Sequence, residues 1–116
     1  MQEPEWAYYT TPGGGEVVLG EIASELGHDV NLATKLDALQ ERIRTGNTLP
    51  RDVKYLGDGL YEARLSVQHN EWRLFFTKRD GGLVLLALHF AQKKDRTIPR
   101  AIKKARKRLA DWDARM

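Results

Sequence analysis

The chain has 116 residues, enough for one domain and too few for two independent cores. Apolar residues make up 41% and charged residues 30%, which fits a packed soluble protein and excludes a disordered tail. No apolar run approaches the roughly 18 residues of a membrane span. Without cysteine there is no disulfide framework, thiolate metal site or cysteine nucleophile.

The start, Met-Gln-Glu-Pro-Glu, lacks the basic and apolar stretches of a signal peptide, so the expected location is the cytoplasm. The formal charge of +3 is unevenly spread. Residues 1–50 carry eight acids and three bases, a net of −5, leaving residues 51–116 at +8. Such polarity implies a positive face, whose usual partner is a polyanion. A solvated basic helix that only aids solubility explains the count equally well.

In chain order, Trp6-Ala7-Tyr8-Tyr9-Thr10 reads as a strand stopped by Pro12-Gly13-Gly14-Gly15. From Glu16 the period becomes helical: Val18, Ile22 and Leu26 recur every four residues, and Gly27 follows as a stop. Asp29 or Asn31 can cap a second helix striped by Leu32, Leu36, Leu39 and Ile43, which ends at Gly46-Asn47. The short connection makes these two helices antiparallel neighbours, read as scaffold. Past Pro50 the period is two. Val53–Leu56 is a short strand, followed by Leu60–Val67, Trp72–Lys78 and Leu83–Ala91. Pro99 suits the first turn of a last helix, with Ile102, Ala105, Leu109 and Trp112 on one side. Its other side carries Arg100, Lys103, Lys104, Lys107 and Arg108. The expected fold is α+β and a single domain over residues 1–116: an N-terminal strand, an antiparallel helix pair, an antiparallel sheet and a basic C-terminal helix.

The hairpin joining Leu60–Val67 to Trp72–Lys78 carries the most information. A turn at His69-Asn70, or a loop from Gln68 to Glu71, sets Ser66 opposite Arg73, Arg64 opposite Phe75 and Glu62 opposite Thr77. Alternation puts Tyr61, Ala63, Leu65, Val67, Trp72, Leu74 and Phe76 on one face, which must meet the helices. The other face gathers Glu62, Arg64, Ser66, Arg73, Phe75 and Thr77. Either Glu62 simply pairs with the arginines on a solvated face, or rigid strands present guanidinium forks to phosphate. Lys54, His89 and Lys93-Lys94 are further candidates nearby in the pattern, although a lone histidine in an apolar strand is more often structural. On this reading Arg73→Ala costs stability no more than about 1 kcal/mol.

In order, these elements resemble a known family. Lys54-Tyr55-Leu56, Gly59-Leu60-Tyr61-Glu62-Ala63-Arg64 and Trp72-Arg73-Leu74-Phe75-Phe76 are similar to the "vKxL…GLYElR…yRvly" core of RelE/HigB-like toxins. Leu86 to Lys94, with Thr97 and Pro99, is similar to their "LLHGFxKKtxkTP" segment. Trp6, Tyr8-Tyr9, the glycine turn and the helix pair resemble the phage-derived branch of the RelE/ParE superfamily. The resemblance implies a toxin of a type II toxin–antitoxin system: a ribosome-dependent endoribonuclease, or mRNA interferase, that inhibits translation. It implies that Lys54, Arg64 and Arg73 belong to the catalytic face, with Lys93 and Lys94 beside it. Phe90-Ala91 stands where the family usually has Gly-Phe, and the C-terminal tyrosine of some branches has no counterpart.

Cleavage by attack of the RNA 2′-hydroxyl on its neighbouring phosphate needs no metal or other cofactor, only orientation, proton transfer and charge stabilisation. Crowded cations disfavour one another's charged form, which suits Lys54 to act as base. Arg64 and Arg73 would stabilise the transition state, and His89 or an arginine would protonate the leaving oxygen. Lys93, Lys94, Arg100, Lys103, Lys104 and Lys107 would hold RNA backbone. A metal site is not expected, because His28, His69 and His89 fall on different elements. The expected partners are a cognate antitoxin of helix-turn-helix type, the ribosome and messenger RNA, with no membrane and no small-molecule cofactor. Two alternatives stand beside this reading: a ParE-like, non-enzymatic inhibitor of DNA gyrase, and a nucleic-acid-binding module using only the basic helix.

Overall fold

A computed structural model describes residues 2–27, 29–94 and 97–116. Strand β1 (Glu5–Tyr8) precedes helices α1 (Val17–Leu26) and α2 (Leu32–Thr45). Strands β2 (Val53–Gly57), β3 (Leu60–Val67), β4 (Asn70–Arg79) and β5 (Val84–Gln92) follow, and helix α3 (Thr97–Arg115) ends the chain. The α+β class and the element order are those the sequence predicts. The sheet runs β1-β5-β4-β3-β2. It is antiparallel from β2 to β5, while β1 joins β5 in parallel, because the two helices carry the chain back across the sheet.

Each helix follows its apolar stripe. Val18 and Ile22 of α1 are buried, and α1 packs mainly on β5. Leu32, Leu36 and Leu39 of α2 are buried against β3 and β1. Trp6 fixes that packing from below: its ring meets Phe76 edge-on at 5.3 Å, and its Nε1 donates to the Gln40 carbonyl. Gly46 closes α2 with a left-handed φ of 76°, a conformation that costs glycine least.

The hairpin register differs from expectation by two residues. The turn is Gln68-His69, both left-handed (φ 49° and 72°), so Val67 pairs Asn70, Leu65 pairs Trp72 and Arg64 pairs Arg73. Alternation fixes register only to within a step of two, because such a shift leaves every side chain on its own face. The face assignment therefore holds while the pairing changes.

Much of the second face is covered, so the reading of it as a solvated surface does not hold there. Helix α3 lies across it, packing on β4 and β5 with Ala101, Ala105 and Leu109 buried. Arg79, on the same face as Thr77, bonds both Thr77 and Asp113 of α3. Phe75 and Thr77 are wholly enclosed as a result. Only the part of the face near Arg64 and Lys54 stays open.

Candidate functional site

Two adjacent rows of register partners cross this face, and it is open at Lys54 and Arg64. Lys54, Glu62, Phe75 and His89 stand in line across β2, β3, β4 and β5. Arg64, Arg73 and Ala91 form the next row, and the Arg64 amide continues it by donating to the Asp52 carbonyl. Neighbouring strands lie about 5 Å apart, so Lys54, Arg64 and Arg73 surround Glu62 within one small patch.

Glu62 organises the patch. Its Oε1 lies 2.8 Å from Arg64 Nε and 3.3 Å from Arg73 Nε, and its side chain is only 5% exposed. Arg73 is equally buried, at 6%, and its fork is fully used. One terminal nitrogen donates to the Trp72 carbonyl at 3.0 Å and the other to Glu71 Oε1 at 2.9 Å. Arg64 differs: its side chain is 37% exposed, and only its Nε is bonded among the described residues. Among the described residues its two terminal nitrogens have no hydrogen-bond partner. Lys54 is exposed beside them.

His89 belongs to a second cluster, built from three elements. Its ring stacks on Phe75 at 6.2 Å, and its Nδ1 lies 2.9 Å from Glu21 Oε1 on α1. Arg108 of α3 donates to both Glu21 oxygens and to the Leu88 carbonyl. Burial alone pushes the Glu21 carboxyl up, but hydrogen bonds and charge from His89 and Arg108 outweigh it and hold it at about 2. The cluster thus clamps α1, β5 and α3 together, and His89 itself is buried. His69 sits apart, in the hairpin turn, and His28 lies outside the described residues.

The remaining cations are spread along the surface. Lys93, Lys94, Arg100, Lys103, Lys104 and Lys107 are all exposed. Lys93 is tied to the sheet, since its amide donates to the Glu71 carbonyl and its Nζ lies 4.0 Å from Glu71 Oε2. Between α1 and the ends of β4 and β5 runs an open groove of about 860 Å³, lined in part by Trp72, Phe90, Ala91 and Lys94. Ala91 is the register partner of Arg73, so the groove opens beside the cationic patch.

Residues 25–110, nearly three quarters of the chain, match the family described as phage derived protein Gp49-like (DUF891). The chain belongs to this family. The Gp49-like proteins are a RelE/ParE-type toxin family associated with toxin–antitoxin pairs, and membership implies an antitoxin partner. No curated protein matches the chain. The match spans Lys54, Glu62, Arg64, Arg73 and His89, whereas Glu21 lies before it. No helix of this Gp49-like protein, among the described residues, is long and apolar enough to cross a membrane.

Sequence reasoning misplaced two side chains of this Gp49-like protein. Arg108, read on the outer side of α3, turns inward to Glu21. Its position three after Ala105 and four before Trp112 puts it on the buried stripe, a signal already present in the spacing. Glu71, read as part of the loop, lies within β4 and holds Arg73, and the two-residue difference in register hid it.

Proposed function

We propose that this chain is the toxin of a type II toxin–antitoxin pair, acting as a ribosome-dependent endoribonuclease on messenger RNA and thereby inhibiting translation. The observation that carries the reading is the pairing of Arg64 and Arg73 with one buried carboxylate, Glu62, whose register partner on the neighbouring strand is Lys54. Membership in a toxin family supports it.

In this mechanism the 2′-hydroxyl attacks the adjacent phosphorus while Lys54 accepts its proton. The terminal nitrogens of Arg64 take the charge growing on the phosphoryl oxygens, a planar task that suits guanidinium better than ammonium. The P–O5′ bond then breaks, giving a 2′,3′-cyclic phosphate and a 5′-hydroxyl end. Of the two proton donors considered for the leaving oxygen, the arginine side fits better, because His89 is buried and tied to Glu21. Arg73 is a positioning residue: it fixes Glu62, which aims Arg64. The reaction so drawn uses neither metal nor cofactor.

Lys93, Lys94, Arg100, Lys103, Lys104 and Lys107 would hold ribosomal or messenger backbone along the rim and on α3. The patch is open and has no deep pocket of its own to splay a strand. Ordering RNA for in-line attack costs entropy, which the ribosomal decoding site would meet in advance. The partner that silences the chain is a small antitoxin of helix-turn-helix type, and the whole acts as one domain in the cytoplasm. Inducing the protein in growing cells and mapping messenger 5′ ends tests the reading. New 5′-hydroxyl ends within translated frames are expected. Intact messengers alongside blocked supercoiling would replace it with gyrase inhibition.

A further inference from the structure

Among the described residues, Glu71 is the one acid on the rim of the cationic patch that pairs with two of its cations. Its side chain is 43% exposed, with Oε1 2.9 Å from the Arg73 guanidinium and Oε2 4.0 Å from Lys93 Nζ. A carboxylate bridging an arginine and a lysine through separate oxygens copies how two non-bridging oxygens of a phosphodiester are held. Arg73, by hydrogen bond and charge, and then Lys93 and Arg64 hold the Glu71 carboxyl below its usual range, so the local field favours an anion there. The other three contacts of this neighbourhood do not depend on that side chain. Arg73 keeps Glu62 and the Trp72 carbonyl, and Lys93 keeps its backbone bond to residue 71.

We propose that Glu71 is an intramolecular stand-in for an RNA phosphate: it occupies a phosphate subsite formed by Arg73 and Lys93 and must swing aside when a strand binds. The subsite lies next to the reacting position at Arg64, and Lys93 extends it toward Lys94 and the groove. Exposure gives the side chain room to leave. Glu71 therefore tunes affinity for the strand rather than the chemical step, and it keeps Arg73 and Lys93 occupied in the free protein. This inference rests on the RNA-directed reading of the patch.

The test measures binding of a short single-stranded RNA with 2′-O-methyl sugars, which cannot be cut by 2′-hydroxyl attack, to purified full-length variants. Affinity should rise in the order wild type, Glu71→Gln, Glu71→Ala, reaching roughly 10-fold, because a competing anion is first neutralised and then removed. The slope of log affinity against log salt should steepen by about 0.7 for each cation released to the strand. Asp58→Asn removes an equal charge in the β2–β3 turn, at the other end of the hairpin, and should change affinity less than 2-fold at moderate salt. Adding Lys93→Ala to Glu71→Ala should return part of the gain. Unchanged or weaker binding by both Glu71 variants, with melting temperatures intact, would overturn the proposal, as would an equal gain from Asp58→Asn. Because the probe cannot be cut, the outcome is separate from cleavage: tighter binding without messenger cutting would sink the endoribonuclease reading alone.

Discussion

Arg64 and Arg73 stand directly opposite one another on β3 and β4, and both reach the same oxygen of Glu62. Like charges in directly opposed strand positions repel, so the pair persists only because a carboxylate lies between them. The two arginines are nevertheless unequal. Arg73 is buried with every nitrogen engaged, whereas Arg64 is partly exposed and, among the described residues, bonds through one nitrogen only, to Glu62. One arginine is built into the sheet so that the other can be aimed.

That inequality sets the outcome of Arg73→Ala. Removing one partner from a buried ion pair leaves an uncompensated charge, and Arg64 satisfies Glu62 only in part. The variant should lose about 3 kcal/mol, well beyond the loss of about 1 kcal/mol expected when Arg73 was placed on a solvated face. Thermal or urea unfolding of the purified variant checks this. A melting point equal to wild type would mean that Glu62 does not need Arg73.

Arg64→Ala and Lys54→Ala should behave in the opposite way. Both side chains are substantially exposed, so unfolding free energies should stay within about 1 kcal/mol of wild type. Messenger cleavage in a translating extract should fall roughly 10²- to 10³-fold for Arg64→Ala, as when a preorganised electrostatic donor is lost. Arg64→Lys should restore little, since an ammonium cannot hold Glu62 and present a planar fork at once. Lys54→Ala should also alter the pH dependence of cleavage. A folded Arg64→Ala protein with full activity would remove this residue from the chemistry.

How far the sequence could anticipate these differences follows from what each inference required. Period-two alternation placed Arg64, Arg73 and Glu62 on one face, and that parity survives a two-residue slip. The turn chemistry favoured asparagine in a left-handed position, yet Gln68 and His69 take those conformations, so the exact pairing was not legible. Nor was the burial of Glu62, Phe75 and Thr77, because it depends on α3 crossing the sheet between positions far apart in sequence. Arg108 was legible from its spacing and was outweighed by the basic residues around it.

The Glu21 clamp predicts a specific acid sensitivity. Its carboxyl is held at about 2 in the folded protein against 4.5 ordinarily, so its contribution is fully present above about pH 5 and is lost as pH falls toward 2. Allowing for screening at its partly exposed edge, that contribution is about 2 kcal/mol. Glu21→Gln should therefore lower stability at pH 7 by about this amount and flatten the decline between pH 5 and 2. Urea unfolding at several pH values measures both. Parallel curves for variant and wild type would show that the carboxylate titrates alike folded and unfolded.

The basic surface of α3 offers a last separation, between gripping RNA and holding the fold. Ala101, Ala105 and Leu109 bury one stripe of this helix, while Lys103, Lys104 and Lys107 are exposed on the rest. Replacing the three lysines by alanine should leave stability within about 0.5 kcal/mol, since alanine favours helix and no core contact is touched. If these side chains meet ribosomal RNA phosphates, ribosome association should weaken, and its salt dependence should become shallower by up to about 0.9 for each lysine removed. Cleavage should then fall mainly through the concentration of ribosomes needed, with the rate at saturation nearly kept, because Arg64 and Lys54 are unchanged. Sedimentation with ribosomes across a salt series, alongside cleavage titrated against ribosome concentration, measures both effects. Undiminished association at every salt would free α3 of any part in binding and leave it with its packing role over β4 and β5.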